Sequence, residues 1–385
     1  MTVRYIRVNP QVNLSAPAVR AFGNIAVAGK LSPPATPPSD LLQVNTPVDF
    51  TDPAEARRRA PGDLGEAIAL ALGQSPGPSL VTGVRVNETT PDFKAALDVI
   101  AGLDAQIVLL ANVPATAANI AVGNPSATPP TPDGALVALA KHVVSVSETG
   151  GDGRQRIGVA MLPKDSADPT PVAGLLATDR MVYIAHRSTQ DAAAAVAGTI
   201  AGYEPQVSLL LKQVNITSAA FTQAQIEALN GSENNDSGPA AKNGVNWLTS
   251  PALIPGGAIY MGEGYTGNPG GIPYIDARRF VDSLSFQLNA QLIKSIGNVR
   301  ISRTGLRSVV AQIEAILTPQ VQADVLTDFD VSVPLLALLD KDPATLTAAE
   351  AQRLHNAETQ RLVQVQIAVH YAGAVHRITA NLKIS

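Results

Sequence analysis

The spacing of apolar positions changes character along the chain. Val3–Val8, Val12–Leu14 and Ile25–Ala28 are short apolar runs broken by Pro10 and Pro17. Proline withholds a ladder donor, so this region predicts an extended arm rather than a packed meander. Leu31–Ser39 reads as a polyproline-like loop. Asp52, Pro53 and Glu55 make a helix start, with a side-chain cap, proline at the first position and an acid in the first turn. A second helix opens at Asp63, carries Leu64, Ile68 and Leu72 at four-residue spacing, and stops at Gly73. From there strands and helices alternate. Leu80–Val86, Ile107–Val113, Arg156–Leu162 and Met181–Ala185 predict strands; Asp92–Ala101 and Ala135–Val146 predict helices, with a short one over Val172–Ala177. Asp191 then caps an alanine-rich helix ending near Pro205. This order predicts an α/β fold, mixed α+β in places, with helices around a parallel or mixed sheet.

Residues 230–272 are loop-dominated, and beyond Pro273 the helical period takes over. Phe280, Leu284, Leu288, Leu292 and Ile296 recur every fourth residue, the stripe of a long amphipathic helix. A second helix is expected from Gly305, stopped by Pro319. Phe329–Val333 predicts a strand, and Asp340–His355 a polar helix-and-loop insertion. Strict alternation returns over Val363–Tyr371 and again over Ala374–Ile384, with Ala372-Gly373 between, which predicts a terminal β-hairpin. The expected division is a linking arm over residues 1–24, a middle domain over 25–265 and a C-terminal domain over 266–385.

At 385 residues the chain exceeds one hydrophobic core. Charged residues are only 16% and mean hydropathy is +0.12, high for a lone soluble protein, which predicts apolar surface hidden against partners. No run approaches the length of a membrane span, and no apolar segment follows Met1, so neither direct membrane binding nor a signal peptide is expected. A net charge of −4 argues against nucleic acid as a partner, and the absence of cysteine removes disulfides, thiolate nucleophiles and cysteine-based metal sites.

Candidate chemistry is thin. Gly73-Gln-Ser75-Pro76-Gly77 spells a nucleophile elbow, but a helix precedes it and a strand follows, and Pro76 has no N–H for an oxyanion hole. Gly262-Glu-Gly264-Tyr-Thr-Gly267 spells a dinucleotide motif without the helix that would receive a pyrophosphate. Gly23 to Leu31 misses the spacing and hydroxyl of a P-loop. The five histidines form no metal-ligand pattern, although His370 and His376 are placed across the predicted hairpin. No cofactor, no metal and no catalytic residue are expected, and the chain reads as not an enzyme. The alternative of another class is an α/β hydrolase using Ser75. One stretch is basic: Arg278, Arg279, Lys294, Arg300, Arg303 and Arg307 stand against Asp276 and Asp282, a docking face for an acidic partner.

The chain resembles the contractile tail sheath proteins of phages, R-type pyocins and extracellular injection systems. The likeness lies in the order of several segments: Thr46–Phe50 with Gly62–Leu64 and Val84–Val86, then Ile107–Leu110, Asp191–Pro205, Ile226–Asn230 with Gly244–Asn246, and Tyr274–Phe280 opening the long helix. Met261-Gly-Glu-Gly-Tyr-Thr departs from the family's usual segment after the glycine loop. The resemblance implies a structural subunit that polymerises with itself around an inner tube protein, alongside baseplate and tail-terminator or cap proteins. It contracts from a metastable extended state and drives the tube through a target envelope; assembly takes place in the bacterial cytoplasm. It also implies that Arg278, Arg279, Lys294, Arg300 and Arg303 face the tube. Sheets of neighbouring subunits, including that of the C-terminal hairpin, are completed by strands carrying Val3, Tyr5, Val8, Val12 and Leu14, and Val375, Arg377, Ile378, Leu382 and Ile384. A different self-assembling tail or baseplate component is the other structural reading.

Overall fold

Strand β1 (Ile25–Gly29) is buried over its whole length, and its side chains divide between two cores: Ile25 and Val27 on one face of a sheet, Ala26 and Ala28 on the other. A computed structural model provides the coordinates and describes residues 22–377 apart from 37, 125, 129–130, 149–152 and 232–242. The chain forms two compact units, one of residues 22–285 with 371–377 and one of residues 286–370.

The larger unit continues through β2 (Pro47–Phe50), α1 (Pro53–Arg59), α2 (Asp63–Leu72), β3 (Val81–Arg85), α3 (Phe93–Ala101), β4 (Ile107–Pro114), α4 (Ala135–Ser147), β5 (Ile157–Met161), β6 (Met181–Ala185) and α5 (Ala192–Gly202). It then adds β7 (Gln213–Val214), α6 (Gln223–Asn230), β8 (Val245–Thr249), β9 (Ile259–Met261) and the start of α7 (Ile275–Leu292). The nine strands lie in the order β2-β3-β1-β4-β5-β6-β8-β9-β7. The six from β3 to β8 are parallel, flanked by antiparallel β2 on one side and β9 and β7 on the other. Helices cover both faces, which is why β1 and β4 read as unbroken apolar runs. Leu64 and Ile68 of α2 and the alanines of α5 fill one core; Leu97 and Ile100 of α3 and Leu136, Leu139 and Val143 of α4 fill the other.

Small residues let α5 lie close to α2. A Cβ on Gly198 would stand 2.4 Å from the Ala71 carbonyl oxygen, and one on Gly202 would stand 2.2 Å from that of Pro76.

The smaller unit holds the end of α7, α8 (Arg303–Gln322), β10 (Leu326–Ser332), α9 (Pro334–Leu339), α10 (Ala348–Gln360) and most of β11 (Gln366–Tyr371). Leu306, Val333 and Leu335 make its small core with Val310, Leu336 and Leu354 against them. Strands β10 and β11 form a sheet of two.

The alternating middle of the chain thus folds as its pattern predicts, and four readings need correction. Ile25–Ala28 is not arm: it is an inner strand, because alanines alternating with Ile25 and Val27 suit a site covered by helices on both sides. Pro47–Phe50, Val245–Thr249 and Ile259–Met261 are strands within stretches that read as loop, each too short to show a period. Pro319 lies inside α8 rather than ending it. It sits in the last turn and forfeits one helical bond, and Ala323 N–H still closes on the Pro319 carbonyl. The terminal hairpin does not form among the described residues: β11 pairs with β10, and residues 372–377 are not strand.

Candidate assembly surfaces

The basic stretch divides by geometry. Arg278, one turn into α7, is 12% exposed at its side chain and bonds Asp282 at 2.7 Å and Asp179 at 3.3 Å. Asp282 is shared with Arg180 at 2.9 Å, so two guanidiniums and two carboxylates compensate one another inside the larger unit. Arg279 is buried; its Nη2 donates to the carbonyls of Phe22 and Tyr203, and burial lowers its pKa to about 10. Both arginines lie on the buried side of the helix start and therefore present no open cation. Arg303 is exposed but bonded to the Leu339 carbonyl and 3.6 Å from Asp340, which Arg307 also reaches. Lys294 and Arg300 remain. Both are exposed in the connection between α7 and α8, and neither has an ion-pair partner among the described residues. Beside them Ile293 is 66% and Ile296 is 77% exposed, so this tip is at once basic and apolar.

Val3, Tyr5, Val8, Val12 and Leu14, and Ile378, Leu382 and Ile384, lie outside the described residues. Val375 is 75% exposed, whereas Arg377 points back to Glu263 and Tyr265. The β10–β11 sheet has alternating exposure along β11 and two open edges among the described residues. Open edges are templates for a further strand.

The predicted pairing of His370 with His376 is replaced by a cluster that the pattern did not reveal. His376 Nδ1 lies 2.9 Å from Glu263 Oε2, and its Nε2 lies 2.8 Å from Ser208 Oγ. Serine, histidine and glutamate stand here in the hydrogen-bond order of a hydrolase triad. The hydroxyl, however, already accepts Leu210 N–H, and Glu263 is shared with Arg377 and Gly264 N–H. A carboxylate compensated by a guanidinium is poorly suited to stabilise an imidazolium, so the arrangement serves as a tether. The Tyr371 hydroxyl adds a second tie, donating to Asp276 at 2.7 Å while its ring stacks on Phe280. Desolvation and the Asp276 carboxylate raise the phenol pKa, which keeps it a donor. No sequence period pointed to Glu263, a lone acid between two glycines.

The two glycine motifs are packing devices. Gln74 plugs the space between α2 and α5, taking bonds from Thr199 and Asn215 and giving them to Leu70 and Asn215. Ser75 beside it is exposed and has no histidine partner among the described residues, so the hydrolase alternative finds no geometry there. In the other motif a Cβ on Gly262 would meet the Trp247 ring at 2.2 Å, and one on Gly267 the Tyr183 ring at 2.6 Å. The loop lies flat on two aromatic faces and carries Glu263 and Tyr265 between them. Among the described residues no three histidines or carboxylates gather as metal ligands, and no helix is long and apolar enough to cross a membrane.

No protein-family model matches the sequence, and no curated protein does. Solved structures match over the whole chain. The helical sheath of the anti-feeding prophage in its contracted state is 13% identical with a TM-score of 0.63, covering 100% of this chain and 99% of that one. The contracted sheath complex of the extracellular contractile injection system PVC is 9% identical with a TM-score of 0.65, covering 100% and 98%. A chain of the anti-feeding prophage baseplate, 12% identical, gives 0.62 over 100% and 99%. The fold is that of a contractile sheath subunit. Nearly all of each sheath chain is covered, so this one carries the sheath fold without a large added domain.

Proposed function

We propose that the chain is the structural subunit of a contractile sheath, polymerising around an inner tube and contracting to drive that tube through an envelope. The observation that carries this reading is the end-to-end fold match to sheath subunits, which spans both compact units. The two-stranded β10–β11 sheet supports strand addition: two strands are marginal alone, and a third from a neighbour would satisfy an open edge. The alternating segment after Arg377, with Ile378, Leu382 and Ile384 on one side, is the strand we assign to that role. The N-terminal residues Val3 to Leu14 supply the second link. Strand links persist while other interfaces exchange, which suits a lattice with two packings.

We assign the tube-facing contact to the tip carrying Lys294 and Arg300, with Ile293 and Ile296 as its apolar component. Arg278 and Arg279 are left out because their charge is compensated inside the subunit. Copies of itself, the inner tube, baseplate and cap proteins are its partners, and assembly is placed in the bacterial cytoplasm. Sedimentation tests this. The purified chain should pellet as polymer, and deletion of Val375–Ser385 should abolish the pellet while leaving the subunit folded; persistent polymer would refute strand exchange. Lys294→Glu with Arg300→Glu should weaken loading on tube, and normal loading would move the tube contact elsewhere.

A further inference from the structure

Glu263 is 5% exposed at its side chain, and two of its partners come from the last described residues, His376 at 2.9 Å and Arg377 at 3.4 Å. Arg377 also donates to the Tyr265 hydroxyl at 3.2 Å, and the His376 ring meets the edge of Tyr274 at 4.8 Å. With Nδ1–H directed at the carboxylate, Nε2 takes the Ser208 hydroxyl proton, so both ring nitrogens are satisfied. This is a recognition site for a histidine–arginine pair: one buried acid, two aromatic walls and one hydroxyl. Lifting the segment would leave a carboxylate in an apolar loop without its cations. Six residues earlier Tyr371 holds the same segment through Asp276.

We propose that Glu263 is a charge-keyed anchor that fixes the chain at residues 376–377 and thereby sets the reach of the terminal segment. The inference rests on the sheath reading for its purpose but not for its existence. Fully extended, residues 378–385 reach about 28 Å from Arg377; freed back to Tyr371, the mobile segment reaches about 50 Å. The volume searched differs about fivefold, and so does the local concentration of the terminal strand at a neighbour's edge. The anchor therefore favours a near neighbour over a distant one. It is built from groups that no helical or strand period requires, in a loop whose glycines hold Glu263 and Tyr265 in place.

Trypsin reads the anchor directly, because the Arg377 side chain it must capture is the one held by Glu263. In the unassembled full-length subunit, cleavage after Arg377 should be at least about tenfold faster in Glu263→Gln and in His376→Ala, both of which keep Arg377. Cleavage after Arg300, exposed and unpaired, is the internal control and should not change. Equal rates at Arg377 in both variants would overturn the proposal; His376→Ala alters only the strap, so misfolding of the larger unit does not confuse the result. Polymer growth separates the two readings. Wild-type chain that never polymerises counts against the sheath, whatever the cleavage shows. Variants that are cleaved faster yet polymerise as fast as wild type would contradict the reach-setting role.

Discussion

Arg156, 1% exposed, is neutralised by carbonyls rather than by an acid. Its Nη1 donates to the Ile100 carbonyl near the end of α3 and lies 3.3 Å from His142 Nε2; its Nη2 donates to Leu103. Burial, reinforced by this guanidinium, lowers the His142 pKa from 6.5 to about 4. The folded value lies below the unfolded one, so the stability due to neutral His142 is complete above pH 6.5. It is lost as pH falls through 6.5 toward 4 and is gone below. The loss amounts to about 3 kcal/mol. Denaturant titration of the unassembled subunit at pH 7 and pH 4.5 checks this: His142→Gln should show a markedly smaller difference between the two than wild type. At Gly198 the constraint is steric. Gly198→Val drives a methine carbon into the Ala71 carbonyl and should cost about 2–3 kcal/mol, seen as a lower melting temperature.

At the scale of elements, α5 shows how cap and strand are tied. The Asp191 carboxylate caps the helix by accepting Ala194 N–H at 2.9 Å, and its other oxygen accepts Asn112 N–H at 2.6 Å from β4. Asn112 has a positive φ of 51°, so this bond holds a strained bulge in the strand. Asp191→Ala should lose about 2 kcal/mol, more than an ordinary cap, because a buried donor is stranded as well; thermal melting would register it. The cap was legible in the sequence, as were β3 to β6 and the helices between them, because parallel strands buried on both faces leave unbroken apolar runs. Strand β1 was misread because small alanines beside proline-rich flanks look like arm. Strands β8 and β9 were too short for any period. The hairpin reading failed for a different reason: alternation over Val363–Tyr371 identifies a strand but not its partner, and β10, far earlier in sequence, is that partner. The tail anchor was not legible at all, since Ser208, Glu263 and His376 are joined only by tertiary structure, and the charge pattern could not show that Asp179 and Asp282 take up Arg278.

At the scale of the whole molecule, the sheath fold is maintained at 9–13% identity to the matching sheath and baseplate chains. So little identity is compatible with one fold because the constraints are patterns: buried parallel strands, an alanine-rich helix packed on glycine seams, and an amphipathic pair, α7 and α8. The low charge and positive mean hydropathy fit a chain whose surface is largely destined for copies of itself. Exposed Ile293 and Ile296 at the basic tip are such surface. Replacing both by Ser should leave subunit stability nearly unchanged and reduce co-sedimentation with tube; unchanged co-sedimentation would show that the tip lies elsewhere in the assembly. Negative-stain electron microscopy of the full chain, expressed alone and with its tube, tests the central claim most directly. Hollow cylinders of uniform width with helical surface ridges are the predicted result. Discrete particles of one or two subunits under every condition, tube present included, would contradict it.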